Sequence, residues 1–126
     1  MSSANSSDAA RLRILVVEDE FFVADYIAGI LEDLGHEVVG PAPTIPAAME
    51  AIASQRLDAV FLDANLGGNS SAPIADELAA RRLPFIVVTG YGNFELPAAA
   101  LQTAPRVNKP FTAADLAAIL VKTVAT

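Results

Sequence analysis

The sequence predicts an α/β fold in which five parallel strands alternate with five helices in a doubly wound sheet. Short apolar runs of four to seven residues are typical of strands that are buried on both faces. Between them, apolar residues recur at three- and four-residue spacing, which indicates amphipathic helices. Polar residues follow directly at the ends of several runs, and no internal repeat or linker is visible. We therefore expect a single domain.

The composition limits the class of protein. The chain has 126 residues, of which 53% are hydrophobic and 18% are charged, as in one globular domain. The absence of cysteine excludes disulfides and thiolate metal sites. A net charge of −7 without a Lys/Arg cluster argues against a nucleic-acid partner. No apolar segment is long enough for a membrane span and no signal-peptide pattern is visible, so we expect a cytoplasmic protein without a membrane partner.

The first half of the chain predicts two strands and two helices. Residues 1–10 are expected to form a flexible N-terminal tail, and residues 11–126 the folded domain. Residues 11–17 form the first predicted strand, residues 37–41 the second, and Thr44 is a candidate cap for the helix after it. The first helix ends at Gly35. Its predicted apolar face contains Phe22, Val23, Tyr26, Ile27, Ile30, Leu31 and Leu34. Phe21 and Phe22 are expected in the core, with the alternative that one of them covers the acidic site. His36 is expected to be a solvated turn residue.

The second half predicts three more strands. Residues 59–63 form an apolar run that ends directly in Asp63, before a glycine-rich turn. Ser70 or Ser71 is expected to cap the third helix. Residues 84–89 form the fourth strand, a weak helix lies around residues 96–101, and residues 106–108 form the fifth strand. The last helix spans residues 112–124 and begins with a capping box made by Thr112 and Asp115.

Five polar side chains follow the ends of four predicted strands: Glu18, Asp19, Asp63, Thr89 and Lys109. Because the carboxyl ends of parallel strands meet at one edge of a sheet, these side chains are expected to converge on one cleft. Each also has a purely structural interpretation. Asp19 is a candidate helix cap, Asp63 a turn residue, Thr89 a strand residue and Lys109 a solvated charge.

The chemistry that suits this set is phosphoryl transfer to a carboxylate. Neighbouring acids repel, so one stays protonated or a cation binds among them. Mg²⁺ prefers oxygen ligands, and the candidates are Glu18, Asp19, Asp63 and the main-chain carbonyl of Asn65. Asp63 can then act as a nucleophile and form an aspartyl phosphate. Lys109 and Thr89 can hold the phosphoryl oxygens.

These motifs, Glu18-Asp19, Asp63, Thr89-Gly90 and Lys109-Pro110-Phe111 in this order, resemble the receiver domain of two-component response regulators over residues 12–124. The resemblance implies a flavodoxin-like (βα)5 fold with strand order 2-1-3-4-5 and a cis peptide before Pro110. It also implies that a histidine kinase or a phosphotransfer protein phosphorylates Asp63 in the presence of Mg²⁺. Such a domain is a phosphoacceptor and not a turnover enzyme, and it signals to a downstream protein that the sequence does not identify.

The stretch from Pro84 to Tyr91 resembles the receiver subgroup with a Pro-Phe-x-x-x-Thr-Gly-Tyr signature, which consists mostly of stand-alone receivers. Most receivers carry an aromatic residue three positions before the lysine, but this chain has Arg106 there. The coupled movement of the threonine and this aromatic residue, which is usual in the family, is therefore not expected in this chain. The candidate switch residues are Thr89, Tyr91, Arg106 and Pro110. By analogy with the family, Asn65 and Tyr91 flank the phosphoryl group and control attack by water.

The sequence thus predicts a single-domain response regulator that signals by protein contact or by onward phosphotransfer. One alternative is a binding module that never needs phosphorylation, although the intact set of site residues argues against it. Another alternative is a phosphatase with an aspartate nucleophile. Such enzymes usually carry a second acid two residues after the nucleophile, and Asn65 at that position cannot act as a general acid.

Overall fold

Five parallel strands form the central sheet of the protein, which we describe from a computed structural model of residues 11–90 and 99–124. The strands of this sheet are β1 Arg13–Val17, β2 Glu37–Ala42, β3 Ala59–Asp63, β6 Phe85–Thr89 and β7 Arg106–Asn108, and a separate two-stranded hairpin consists of β4 Asn65–Leu66 and β5 Asn69–Ser70. The helices are α1 Phe21–Asp33, α2 Ile45–Ser54, α3 Ala72–Ala80, α4 Ala99–Thr103 and α5 Ala113–Val124. The spatial order of the main sheet is β2-β1-β3-β6-β7, which confirms the predicted order 2-1-3-4-5 of the five sheet strands.

Side chains that alternate along the strands fill two core layers, one on each face of the sheet. Leu15, Val60, Leu62 and Val87 belong to the layer that includes buried residues of α2, α3 and α4. Ile14, Val16, Phe61, Ile86 and Val88 belong to the layer that includes buried residues of α1 and α5. Because the sheet is covered on both faces, its residues face solvent mainly at the strand ends.

The helix starts follow the predicted capping chemistry with one difference. The Thr44 hydroxyl accepts a hydrogen bond from the Ala47 amide at 3.2 Å. The Thr112 amide donates to the Asp115 carboxylate, and the Asp115 amide donates to the Thr112 hydroxyl, at 2.9 and 3.1 Å. At α3, Ser71 occupies the N-cap position without a side-chain capping bond. The preceding Ser70 hydroxyl instead accepts from the Ala72 amide at 3.1 Å.

Helix α1 is rotated relative to the prediction. It is buried through Ala24, Ile27, Ile30 and Leu31, whereas Phe21 is 69% and Phe22 is 84% exposed. The expectation that Phe21 and Phe22 lie in the core is therefore wrong, and Tyr26 and Leu34 are also exposed. At 3.6 residues per turn, positions 22 and 26 lie nearly opposite positions 24, 27 and 31. The small Ala24 faces the sheet, so the larger aromatic side chains face outward.

The histidine prediction is right in position, since His36 directly precedes β2, but wrong in expecting a fully solvated side chain. His36 is half-buried, and its Nδ1 atom accepts a hydrogen bond from the Leu12 amide at 3.1 Å. Burial lowers the pKa of His36, so the neutral imidazole is favoured.

Some predictions fall outside the described residues: the N-terminal tail, Tyr91 and the first part of the predicted fourth helix. Among the described residues, no helix has the length and apolar character needed to cross a membrane. The Lys109–Pro110 peptide is cis, as the resemblance implied, and the Gly40–Pro41 peptide is cis as well.

Candidate functional site

Two adjacent strands bring three acids together at the carboxyl edge of the sheet. β1 and β3 pair in parallel with Val17 opposite Leu62, so the residues that follow Val17 lie beside Asp63. Oxygen atoms of Glu18, Asp19 and Asp63 all lie within 4.8 Å of one another. Glu18 and Asp63 are buried, whereas Asp19 is exposed. The predicted convergence of these three acids is thus present in the structure.

A single ammonium group faces the two buried acids. The Nζ atom of Lys109 lies 3.4 Å from Asp63 Oδ2 and 3.5 Å from Glu18 Oε1. The lysine is placed by the pairing of β7 with β6, because its amide donates to the Thr89 carbonyl at 2.8 Å. Among the residues that the structure describes, one cation faces the three carboxylates, so the cluster keeps an excess of negative charge.

The charge imbalance appears in the pKa values. Burial, together with the neighbouring Asp63 carboxylate, raises the pKa of Glu18 from 4.5 to about 7. Burial alone would lower the pKa of Lys109, but the charges of Asp63, Glu18 and Glu20 outweigh it, and the pKa is raised overall. One oxygen of Glu18 accepts from the Glu20 amide at 3.2 Å, while the buried Oε1 forms an ion pair with Lys109 but has no hydrogen-bond partner among the described residues. Because Lys109 is shared between Glu18 and Asp63, protonation or a further cation is needed to balance the charge of the cluster.

A small hairpin that the sequence analysis missed forms the outer wall of the cluster. β4 and β5 pair antiparallel around Gly67 and Gly68, which have φ angles of 58° and 91°. This left-handed conformation favours glycine at both positions. The Asn65 amide donates to Asp63 Oδ1 at 3.0 Å, and the Asn65 side-chain oxygen accepts from the Gly68 amide at 2.8 Å. The hairpin therefore fixes Asn65 beside Asp63.

The acids, the hairpin and the lysine enclose a cavity of about 250 Å³, which is bordered by Asp19, Asp63, Asn65 and Lys109 among others. Several carboxylate oxygens lie at mutual distances that one ion can span, and a buried oxygen lacks a donor. Oxygen-rich sites of this kind suit Mg²⁺, which binds through a few carboxylates and retains several waters. The donor set therefore fits a magnesium ion.

Two further predicted site residues, Thr89 and Arg106, have other hydrogen-bond partners. Thr89 is buried, and its hydroxyl donates to the Asn108 side-chain oxygen at 2.7 Å instead of contacting the acids. Arg106 is half-buried, and its guanidinium donates to the Gln102 carbonyl of α4 at 3.1 Å. Sequence reasoning did not single out Asn108. In the sequence, Asn108 stands out only by its place directly before Lys109. Its contact with Thr89 depends on the register of β6 and β7, which the sequence does not show.

An apolar depression of about 590 Å³ lies beside the acid cluster. We call it the aromatic groove, and it is lined by Glu20, Phe22, Val23, Tyr26, Gly90, Lys109, Pro110 and Phe111. The ring of Tyr26 stacks on that of Phe111 with a centroid distance of 5.7 Å, and the Tyr26 hydroxyl donates to the Phe111 carbonyl at 3.3 Å. These contacts join α1 to the segment that carries Lys109.

The chain is similar to proteins of bacterial signalling. It is 31% identical over 103 residues to the sensory transduction protein LytT of Bacillus subtilis, a match that covers 79% of this chain and 43% of LytT. This chain therefore spans less than half the length of that relative. The solution structure of SdrG from Sphingomonas melonis Fr1 is 37% identical, with a TM-score of 0.78 over 90% of this chain and 96% of SdrG.

A third similar protein has a metal in the corresponding fold. The receiver domain of the sensor histidine kinase PA1611 from Pseudomonas aeruginosa PAO1 was crystallised with a magnesium ion coordinated in its active-site cleft. It is 28% identical, with a TM-score of 0.80 over 93% of this chain and all of that one. Residues 14–121 of this chain, most of its length, match the response regulator receiver domain family. The chain therefore belongs to the response regulator receiver domain family of two-component signalling systems.

Proposed function

We propose that this receiver domain accepts a phosphoryl group on Asp63, with Mg²⁺ bound, from the phosphohistidine of a histidine kinase or a phosphotransfer protein. The observation that carries the proposal is the cluster of Glu18, Asp19 and Asp63, whose oxygens lie within 4.8 Å, with Lys109 3.4 Å from Asp63. A carboxylate nucleophile, a cation site and a fixed ammonium group are the parts that phosphoryl transfer needs.

In the proposed step, a carboxylate oxygen of Asp63 attacks the phosphorus atom of the donor. The phosphorus–nitrogen bond breaks, its electron pair stays on the imidazole, and the imidazole takes up a proton as it leaves. The Lys109 ammonium holds one phosphoryl oxygen, and the Thr89 hydroxyl holds another after it turns toward the site. Glu18, Asp19, Asp63 and the Asn65 carbonyl would hold Mg²⁺, which supplies positive charge against the phosphoryl oxygens.

The aromatic groove is the surface that best suits a phosphodonor protein. Asp63 is only 5% exposed, so a donor histidine reaches it only if the donor covers the rim of the cluster. Phe22 and Tyr26 lie on that rim and present apolar area to solvent. Exposed aromatic side chains beside a polar site are typical of protein contact surfaces.

The segment from Pro84 to Thr89 supports placement in the Pro-Phe-x-x-x-Thr-Gly-Tyr subgroup, with output through protein contact or onward phosphotransfer to a downstream protein. Tyr91 and Arg106 remain proposed modulators of the switch. Arg106 contacts the carbonyl of Gln102 in α4, so it is positioned to link β7 to that helix during the conformational change that follows phosphorylation.

Incubation of the purified protein with Mg²⁺ and acetyl phosphate, followed by intact mass measurement, tests the proposal. The parent protein is expected to gain the mass of one phosphoryl group, and removal of Mg²⁺ with a chelator is expected to abolish this gain. Asp63→Asn is expected to gain none, because an amide is not nucleophilic enough to attack phosphorus.

A matched variant, Asp76→Asn, removes an exposed carboxylate of α3 and is expected to label like the parent. Absence of labelling in the parent, or equal labelling of Asp63→Asn, contradicts the proposal. A partner that binds equally well with and without phosphodonor would instead indicate a binding module that does not depend on phosphorylation.

A further inference from the structure

The side chains of Thr89 and Asn108 form a short contact at the end of the sheet. The two residues are partners in the parallel pairing of β6 and β7, so their side chains project to the same side of adjacent strands. The Thr89 hydroxyl donates to Asn108 Oδ1 at 2.7 Å, a typical distance for a well-formed hydrogen bond from a hydroxyl to an oxygen acceptor. The Lys109 amide also donates to the Thr89 carbonyl at 2.8 Å, which holds the backbones of the two strands in register.

A threonine hydroxyl has one proton to donate. While that proton lies on Asn108 Oδ1, it is not available to an oxygen of a phosphoryl group on Asp63. Thr89 is only 6% exposed, so water does not readily replace the lost partner, and the hydroxyl has to exchange one acceptor for another. The Asn108 side chain and the phosphoryl group therefore compete for the same proton.

We infer that Asn108 is a positioning residue that holds the Thr89 hydroxyl away from the phosphorylation site and thereby stabilises the unphosphorylated conformation. The inference rests on the proposed function, because it supposes that Thr89 contacts a phosphoryl group on Asp63. The contact adds a local cost to activation, since the bond to Asn108 breaks when the bond to the phosphoryl oxygen forms.

Arg106 lies on the same strand as Asn108, but its side chain contacts α4 and leaves the contact with the Thr89 hydroxyl to Asn108. The residue lies two positions before Asn108 on the same strand, and its guanidinium is bound to the Gln102 carbonyl of α4. Within the described residues, the contact that β7 offers to the Thr89 hydroxyl is therefore made by Asn108. Loss of the Asn108 oxygen is expected to release the hydroxyl without removing any group that binds the phosphoryl oxygens.

The test measures the affinity of the protein for the beryllium trifluoride anion, a tetrahedral mimic of an aspartate-bound phosphoryl group, in the presence of Mg²⁺. Four proteins form a double-mutant cycle: the parent, Asn108→Ala, Thr89→Val and the double variant. Thr89→Val keeps the shape of the side chain and removes the hydroxyl. Asn108→Ala is expected to bind the anion about three- to tenfold more tightly than the parent, the range that one neutral hydrogen bond accounts for. In the Thr89→Val background the same change is expected to have no effect.

A second readout needs neither metal nor phosphoryl mimic. Scalar couplings measured by NMR in the metal-free protein report the side-chain rotamer of Thr89. We expect one rotamer in the parent, averaging in Asn108→Ala, and a single rotamer again in Asn108→Asp, which keeps an oxygen acceptor at the same place.

The outcomes separate the two hypotheses. If the parent binds the anion and Asn108→Ala binds it no better, or equally better with and without the Thr89 hydroxyl, the inference is wrong and the proposed function stands. If the parent neither binds the anion nor gains a phosphoryl group, both are wrong.

Discussion

The charged form of Glu18 is destabilised, because this carboxyl group is buried beside a second carboxylate. Its pKa is raised from 4.5 to about 7, so the folded state favours the protonated form. The contribution of Glu18 to the free energy of unfolding is therefore fully present below pH 4.5 and is lost as the pH rises through about 7. Glu18→Gln mimics the protonated acid. In chelator, we expect it to be more stable than the parent at pH 8, by at most about 3 kcal/mol, with no advantage at pH 4.

Urea unfolding at several pH values, with and without Mg²⁺, measures this difference. Glu50→Gln removes an exposed glutamate of α2 and serves as the matched control, for which we expect a pH-independent effect below about 0.5 kcal/mol. A constant difference between Glu18→Gln and the parent across this pH range would show that the charge of Glu18 is not destabilising.

His36 supplies a second titration with the opposite sign. Burial lowers the pKa of His36 below 6.5 in the folded protein. Its contribution to the free energy of unfolding is therefore present above pH 6.5 and is lost as the pH falls through the lowered pKa. Protonation of Nδ1 also removes the acceptor of the Leu12 amide. Asn keeps an acceptor near that atom and does not titrate. Between pH 7 and pH 5 we expect the parent to lose about 1 kcal/mol more stability than His36→Asn, as measured by thermal unfolding. Parallel pH profiles would contradict this account.

At the scale of elements, one face of α1 packs in the core and stabilises the fold, whereas its exposed aromatic face is available for contact with a partner protein. Phe22 is 84% exposed, so Phe22→Ser is expected to change the free energy of unfolding by less than about 0.5 kcal/mol. If the aromatic groove binds the phosphodonor protein, the same change slows phosphotransfer from that protein about tenfold or more. Labelling by acetyl phosphate is expected to stay unchanged, because a small donor does not need the groove.

The control for this variant is Val121→Ser on α5, which removes a 64% exposed apolar side chain away from the groove. Rates are measured with a phosphorylated histidine kinase or phosphotransfer domain from the same cell. If Phe22→Ser and Val121→Ser are equally fast, the aromatic groove is not the docking surface.

These elements also show which features were accessible from sequence. The apolar runs of β1, β3 and β6 were predicted because burial on both faces leaves polar residues only at the ends of these strands. The hairpin of β4 and β5 was missed because two-residue strands have no periodicity to detect. The orientation of α1 was wrong because a four-residue spacing of aromatic residues looks like a core face, whereas the small Ala24 packs against the sheet. Which face of a helix is buried depends on its neighbours.

At the scale of the whole molecule, strand order explains why the acid cluster was predictable and the Asn108 contact was not. Once five parallel strands are arranged as 2-1-3-4-5, residues at their carboxyl ends have to meet. This places Glu18, Asp19, Asp63 and Lys109 together without detailed geometry. The contact between Thr89 and Asn108 depends on the register of β6 and β7, and a shift by one residue would turn the two side chains to opposite faces.

The last prediction concerns the stability of the whole fold. A cation that binds only the folded protein stabilises it in proportion to the logarithm of its concentration. At a Mg²⁺ concentration about 100 times the dissociation constant, the gain is about 2.7 kcal/mol, a rise in Tm of about 10 °C for a domain of this size. Asp19 is exposed, so Asp19→Asn is expected to fold normally and to lose most of this rise.

Screening of the net charge of −7 by salt is the competing explanation for a higher Tm. Titrations at constant ionic strength, with Mg²⁺ replacing Na⁺, remove that contribution, and Asp76→Asn matches the change in net charge. If Mg²⁺ binds at the predicted site, Asp76→Asn shows the same rise in Tm as the parent, whereas Asp19→Asn does not. If all three proteins gain the same Tm, the ion acts on the surface as a whole, and the acids at the strand ends have no special affinity for it.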